Sequence, residues 1–280
     1  MTVPHSGILI RMCGGLDECD ACVRLQSDVW GLQDGDVIPR RSFIVALQIG
    51  GQVVGAFDTR LPHTSAEGDA RNLIGFAMAL PGFAKPAPGE PAGIHPYLHS
   101  HMLAVRTEYR NRGIGRRLKL FQREEALSRG IPRMDWTFDP LEIKNAFLNL
   151  ARLGVIVRRY TPNLYGGSSS RLQGALPTDR LHAEWWLDSQ RIRSILEGAP
   201  PSLPPIVQTV IVPHEISRWR QTPGEQGLAF DVQAEIRRKF VEAFANGLTA
   251  VGFIIDSQGN GVFQLGRWEE PPNSAGEPGR

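Results

Sequence analysis

The sequence predicts an α/β protein, and three observations carry that reading. Strand-patterned and helix-patterned segments alternate between Tyr97 and Val157. Alternation of this kind is the mark of helices packed on a sheet. The composition is that of a globular chain, with 41% hydrophobic, 8% aromatic and 21% charged residues. The length, 280 residues, suits one large or two modest domains with a real core.

In chain order, Ile8 to Met12 reads as a first strand. Residues 17–30 read as a helix, with Cys22, Leu25, Val29 and Trp30 on one stripe. Phe43 to Leu47 is a short apolar run, expected as a strand. Gly50-Gly51 would turn it into Val53 to Phe57 as a hairpin. Residues 73–80 are another strand. Residues 81–96 hold five Pro and three Gly, which predicts an irregular loop on the substrate side. Tyr97 to Val105 is a strand, followed by a helix from about Gly113 to Arg129 that Gly130 ends. Arg133 to Phe138 is a strand, Leu141 to Leu153 a helix, Gly154 to Val157 the start of a strand, and Leu181 to Leu187 a further one. Four Pro among residues 199–205 mark a linker. A strand (206–212), a charged amphipathic helix (231–245) and a hairpin (249–266) follow. Ile236, Phe240 and Phe244 require that helix to dock on something. Residues 269–280 are expected to be a disordered tail.

Lys and Arg total 31 and Asp and Glu 29, a formal net charge of +2. That balance argues against disorder and against non-specific nucleic-acid binding. No run of about 18 apolar residues exists, so no membrane span is expected, and no secretory signal is evident. Three cysteines, Cys13, Cys19 and Cys22, give no disulfide framework, and the expected location is cytoplasmic. Cys19-x-x-Cys22 resembles a metal knuckle only superficially, because no second pair exists. No metal is expected.

The segment Arg110-Asn111-Arg112-Gly113-Ile114-Gly115 lies between a strand and a helix. Two residues without a Cβ let the backbone turn tightly and approach a ligand. The first amides of the next helix have no internal partner and suit a pyrophosphate. From Arg106 to Arg133 nine residues are basic and three acidic. By itself Gly-x-Gly after a strand is weak, and a structural turn is the competing reading. A Walker loop is excluded, since no Gly-Lys-Ser/Thr is present.

The stretch from His101 to Leu118 resembles motif A of the GNAT superfamily of acyl-CoA-dependent N-acyltransferases. That motif, Arg/Gln-x-x-Gly-x-Gly/Ala after a strand ending in Ala-Val, stands here as Arg110-x-x-Gly113-x-Gly115 after Ala104-Val105. The resemblance covers about residues 7–165. Tyr97 to Met102, Trp136 to Leu141, Asn163 to Gly166 and Leu176 to Leu181 resemble one predicted-acetyltransferase branch and extend it to about residue 188. It implies a mixed, mostly antiparallel twisted sheet flanked by helices over residues 7–188. A linker (189–205) and a smaller C-terminal α/β appendage (206–268) would follow. It also implies acetyl-CoA or another acyl-CoA as cosubstrate and a small-molecule amine acceptor, an amino acid being one candidate. A homodimer is one expected state. Acetyl and succinyl groups are the candidate acyl groups.

By the same resemblance, amides from Arg112 to Arg116 hold the coenzyme pyrophosphate. The strand edge at Leu103, Ala104 and Val105 pairs with the pantetheine arm, and the Leu103 amide polarises the thioester carbonyl. Asn145 and Asn149, four apart, share a helix face and can bond pantetheine or acceptor, or be solvated. The base candidates are His99 and His101, two apart on a strand and so on one face. His99 falls where some superfamily members carry a catalytic Glu. Two half-buried, hydrogen-bonded histidines are the competing reading. The position of the usual acid, a Tyr, is Leu150 here. Tyr160 or Tyr165 can replace it, or the thiolate leaves unaided. Asp139 before Pro140 reads as a helix start or as an ammonium ligand. Arg158, Arg159, Arg171 and Arg180 can hold a carboxylate or form a solvated face. Of Trp185-Trp186, one is expected in the core. The alternative function is a non-catalytic acyl-CoA sensor or interaction module.

Overall fold

In a computed structural model, residues 7–32, 35–61, 71–84, 94–167, 170 and 173–268 are described. A ten-stranded sheet runs β1-β2-β3-β4-β5-β7-β6-β9-β10-β8. The strands are β1 (Ile8–Met12), β2 (Gln52–Asp58), β3 (Leu73–Ala84), β4 (His95–Val105) and β5 (Arg133–Phe138). They continue as β6 (Ile156–Thr161), β7 (Arg180–Trp186), β8 (Ile206–Val212), β9 (Thr249–Ile255) and β10 (Gly261–Gly266). Every neighbouring pair is antiparallel except β4–β5, which is parallel.

The helices follow the burial of alternate strand residues. Helices α1 (Gly15–Trp30) and α2 (Arg40–Gln48) cover one face of β2 to β4, where Val53, Phe57, Phe76 and Ala104 meet Cys22, Leu25 and Phe43. Helix α3 (Ile114–Ser128) covers the other face, where Val54, Ala56, Ile74 and Ala77 meet Ile114 and Leu118. Strand β2 is therefore buried along its whole length. In β5 and β7 burial alternates instead: Met134, Trp136 and Phe138, with Leu181, Ala183 and Trp185, face the core. Arg133, Asp135 and Thr137, with Arg180, His182, Glu184 and Trp186, face the opposite, partly open side. Asp135, partner of His99, stands on that second face.

Several expectations are corrected. Phe43 to Leu47 lies in helix α2, not in a strand, so no hairpin joins it to β2. Phe43 and Ala46, three apart, are buried, and Val45 is exposed. A five-residue apolar run has no period of its own, and packing decided it. Residues 81–84 and 95–96, expected as loop, extend β3 and β4 and pair from Pro81↔Leu98 to Ala84↔His95. Residues 85–93 lie outside the described residues, as do Arg171 and the expected tail 269–280. The helix expected over 141–153 is α-helical only over α4 (Ile143–Ala146) and π-helical over Phe147–Leu153. The expected linker holds helix α5 (Gln190–Leu196). The expected C-terminal helix begins earlier, as α7 (Gln226–Ala245), after an unanticipated α6 (Ile216–Gln221).

The C-terminal strands continue the main sheet through one β6–β9 pair, Val157↔Ala250. Helix α7 docks as its stripe requires: Ile236 and Phe240 are buried, and Phe240 stacks on Tyr160 with ring centroids 5.9 Å apart. Arg237 donates to both oxygens of Asp179, at 2.8 and 3.0 Å. Asp179 also accepts from the Tyr160 hydroxyl at 2.5 Å and from the Asn163 amide at 2.9 Å. Arg220 of α6 donates to Asp139 at 2.7 Å and to Glu142 at 2.9 Å. Among the described residues no helix is long and apolar enough to cross a membrane.

The carboxylate of Asp179 is completely buried, so removing it strands a hydroxyl, an amide and a guanidinium at once. Asp179→Ala is expected to lower the unfolding free energy by roughly 2–4 kcal/mol, measured by denaturant titration.

Candidate active site

The site begins where pairing stops. Strands β4 and β5 are joined by only two residue pairs, Leu98↔Met134 and His99↔Asp135. Beyond them no β4–β5 pairs form, which leaves a gap with Ser100 to Val105 on one side and Trp136 to Phe138 on the other. On its β3 side, β4 pairs Met102 with Met78 and Ser100 with Ala79, so His101 is the extra residue of a β-bulge. The Arg106 amide bonds the Ile74 carbonyl of the strand before β4. Alternation along an antiparallel ladder then turns the Ala104 amide toward β3 and the amides of Leu103 and Val105 into the gap. Of the three expected pantetheine-pairing residues, Leu103 and Val105 therefore present amides to the gap and Ala104 does not.

At the open end of the gap lies the segment 110–116. Gly113 takes φ +74°, and Asn111 takes φ +60°. Gly113 is the N-cap of α3 and no side chain caps it, so the first amides of the helix stay available. The first turn carries no acidic residue. A Cβ at Gly115 would meet only Leu103 and Leu148 methyls, at 3.7 and 3.9 Å. The loop thus fits an anionic group at a helix N-terminus with basic side chains around it. Arg110 donates to the Val105 carbonyl at 3.2 Å, Arg116 to the Arg152 carbonyl at 3.4 Å, and Arg112 lies over the Tyr109 ring. Arg117 is committed to the Ile8 carbonyl. These residues and Ile114, whose side chain is in the core, form one corner of the gap.

A cavity of about 630 Å³ occupies the gap and the space before it. Trp30 and Ile38 close one side, Asn145 and Asn149 another, and Tyr165 and Arg180 a third. Asn149 donates to Asn145 at 3.3 Å, so both helix-face residues reach the cavity wall. Lys119 forms part of the floor, with Ser100 and Trp136. Asp139 and Glu142 also line it, tied to Arg220. Burial raises the Glu142 carboxyl above its ordinary range.

His99 and His101 lie with ring centroids 6.1 Å apart. Nδ1 of His99 is 2.8 Å from Asp135 Oδ1, its direct partner in the parallel register. Asp135 is also 3.5 Å from Arg133. A carboxylate on Nδ1 holds that nitrogen as the N–H donor and leaves Nε2 as a base. His101 stands at the cavity mouth and also borders a second cavity of about 330 Å³ against α2. Desolvation, and then the charge of His99, lower its pKa.

The two tyrosines part company. The Tyr165 hydroxyl lies at the cavity, 2.8 Å from Thr137 Oγ1. Tyr160 is buried in the core, bonded to Asp179 and outside the cavity lining; burial raises its pKa. Leu150 is a core residue. Arg158 pairs with Glu184, and Arg159 with His182 Nδ1 at 2.6 Å. Trp185 is fully buried and Trp186 partly, under Arg133. Cys13, Cys19 and Cys22 are buried free thiols, and burial pushes Cys19 up to about 11. Among the described residues no group of His, Cys, Asp or Glu is arranged to hold a metal.

Two site residues escaped the sequence reading in their present roles. Asp135 had a signal, since Arg133, Asp135 and Thr137 alternate with apolar residues on a strand directly after the basic helix. Lys119 was visible only as one charge in a basic run.

Residues 22–148 match the family model described as Acetyltransferase (GNAT) family. A search of curated protein sequences returns no match. Among solved structures, the chain is similar to Arabidopsis thaliana NAA60 in complex with acetyl-CoA, at 17% identity and a TM-score of 0.49. That likeness covers 64% of this chain and 99% of the other. It is similar to the NatC complex bound to Gag peptide and CoA at 14% identity, covering 64% and 98%, with a TM-score of 0.44. It is also similar to aminoglycoside 6'-acetyltransferase type Ii at 17% identity, covering 65% and 99%, with a TM-score of 0.43.

Two outcomes are expected. Gly113→Ala forces a side chain into a left-handed conformation at a cost of roughly 1–2 kcal/mol. It should weaken coenzyme A binding several-fold by calorimetry, because the helix amides shift with it. Burial, followed by Arg159, lowers His182 from 6.5 to about 4. The folded chain thus refuses a proton that the unfolded chain takes up, and stability rises with pH between about 4 and 6.5. His182→Asn should flatten that part of the curve of denaturation midpoint against pH.

Proposed function

From the premise of a GNAT acetyltransferase domain at residues 22–148, with acyl-CoA as cosubstrate, we propose that the protein acylates a primary amine of a small molecule. The amine attacks the thioester directly, and the acyl group is acetyl or a short carboxylated chain such as succinyl. The observation that carries this reading is the His99–Asp135 pair at the closed end of the β4–β5 gap. Asp135 orients His99, and Nε2 of His99 takes the ammonium proton directly or through water. The nitrogen lone pair then attacks the carbonyl carbon, and as the carbon–sulfur bond breaks the remaining surplus N–H proton passes, through water or a side chain, to the departing thiolate. The Leu103 N–H, turned into the gap, supports the negative charge that develops on the carbonyl oxygen. Tyr165, at the cavity wall, is the candidate donor to the departing thiolate.

An amino acid acceptor is supported by opposite charges in one cavity. Arg180 offers a carboxylate partner, and Asp139 and Glu142, two carboxyls that share the one guanidinium of Arg220, leave negative charge for an ammonium. In this reading residues 7–188 perform the catalysis, and residues 206–268 support the wall that carries these groups. A second reading, an acyl-CoA sensor without turnover, is favoured by Leu150 in the core at the usual acid position.

A thiol-release assay with acetyl-CoA and succinyl-CoA against amino acids and polyamines separates the two. Amine-dependent release supports the transferase, and coenzyme binding without release supports the sensor. His99→Ala should lower kcat roughly 10²- to 10⁴-fold, with coenzyme binding retained. Asp135→Asn should lower kcat by less while the KM for acyl-CoA holds. Full turnover in His99→Ala at all pH values removes it as the base.

A further inference from the structure

Lys119 is the buried amine of the site. It projects from α3 with about 2% exposure and lines the cavity. Its Nζ donates to Ser100 Oγ at 2.6 Å. It also sits 3.6 Å from the centroid of the Trp136 ring. The Ser100 hydroxyl in turn donates a hydrogen bond to Gln122 Oε1 at 3.1 Å. These contacts use a hydroxyl and a π-face; neither carries a negative charge. Asp135, on the other face of the sheet, attracts it from a distance. An ammonium kept this dry without an anion is held at a cost. Burial lowers its pKa well below that of an exposed lysine.

Its place in the gap gives the cost a use. Ser100 and Trp136 are the first residues of β4 and β5 beyond the last pair, His99↔Asp135. Lys119 touches both, so it marks the apex of the opening. The Leu103 amide faces the same gap three residues along β4. Met102, Leu103, Trp136 and Phe138 supply apolar lining to the cavity, which Asp139, Glu142, Asn145 and Asn149 also line. Apolar side chains beside one buried lysine amine, which a carboxylate partner would hold protonated, complement a short aliphatic chain that ends in a carboxylate. Arg180, the other cation of the cavity lining, is engaged with Gln173 and the Asp179 carbonyl on the acceptor side.

We propose that Lys119 determines the acyl group: it receives the terminal carboxylate of a dicarboxylic acyl donor, of the succinyl- or glutaryl-CoA type, at the apex of the β4–β5 gap. The inference rests on the acyl-CoA reading above and deepens it from donor class to donor end-group. Ser100 holds the ammonium in place, and the Trp136 face restrains it laterally. Carboxylate binding replaces a missing ion pair, so the charged donor is preferred over an uncharged one of equal length.

The test is a binding comparison on the full chain, which needs no acceptor. Quenching of tryptophan fluorescence and thermal shift are read with succinyl-CoA, glutaryl-CoA, butyryl-CoA, acetyl-CoA and coenzyme A. Succinyl-CoA or glutaryl-CoA should bind roughly tenfold or more tightly than butyryl-CoA. In Lys119→Met, which keeps the length of the stem, that difference should collapse. Equal binding of butyryl- and succinyl-CoA by the unaltered protein overturns the proposal, whether or not the variant folds. So does a difference that survives in Lys119→Met. Peptide mass spectrometry showing an acyl group on Lys119 after incubation also overturns it, because the lysine would then be an acceptor. If no thioester and no coenzyme A binds, the acyl-CoA reading falls with it. If acetyl-CoA binds best, only the inference about Lys119 falls.

Discussion

Two parallel residue pairs hold this sheet together at its middle. On one side of Leu98↔Met134 and His99↔Asp135 stand β1 to β4, and on the other stand the remaining six strands. Hydrogen bonding across this join is sparse, and only the single β6–β9 pair further along the sheet is sparser. The cavity exists because β4 and β5 stop pairing, and its chemistry is set by what stands at the point of divergence. His99 and Asp135 form the last pair on one face, and Ser100 and Trp136 hold Lys119 on the other. The bulge at His101 belongs to the same event. Strand β4 stays paired with β3 on both sides of it, with the register shifted by one residue, while its other edge is released.

The helices keep the gap open. Helix α3 packs beneath β2 to β4 through Ile114 and Leu118, which fixes its N-terminus at the mouth. The segment after β5 leaves through Asp139 and a π-helical turn that carries Asn149 to the wall. Such turns are rare and are found frequently at functional sites. The alternating burial of β5 and β7 leaves one face of the sheet with charged and polar residues.

Much of this was legible in the sequence, for physical reasons. The segment Arg110 to Gly115 has few backbone solutions other than a turn into a helix, and it stands where expected. Strands with a clear period, such as Arg133 to Phe138, and the core stripe of α7 were readable because burial wrote them. Phe43 to Leu47 was misread because five apolar residues suit a buried strand as well as a helix face. Helices α5 and α6 are short and carry little period of their own. Pairing between distant residues was out of reach. His99 with Asp135, Lys119 with Ser100, and Asp179 with Arg237 are tertiary facts. Tyr160 and Tyr165 looked alike in sequence, and only register separates the core residue from the one at the cavity.

The last third of the chain bears on the first two in a way that concerns inheritance. Asp139 and Asp179, both buried, are neutralised from α6 and α7 by Arg220 and Arg237. A recombination event that exchanged everything after the proline-rich stretch at 201–205 would separate each carboxylate from its cation. Descendants of such an exchange would carry unpaired charge beneath the cavity wall. The two parts are therefore constrained to travel together, and variation in one is tolerated only where the other supplies the matching charge.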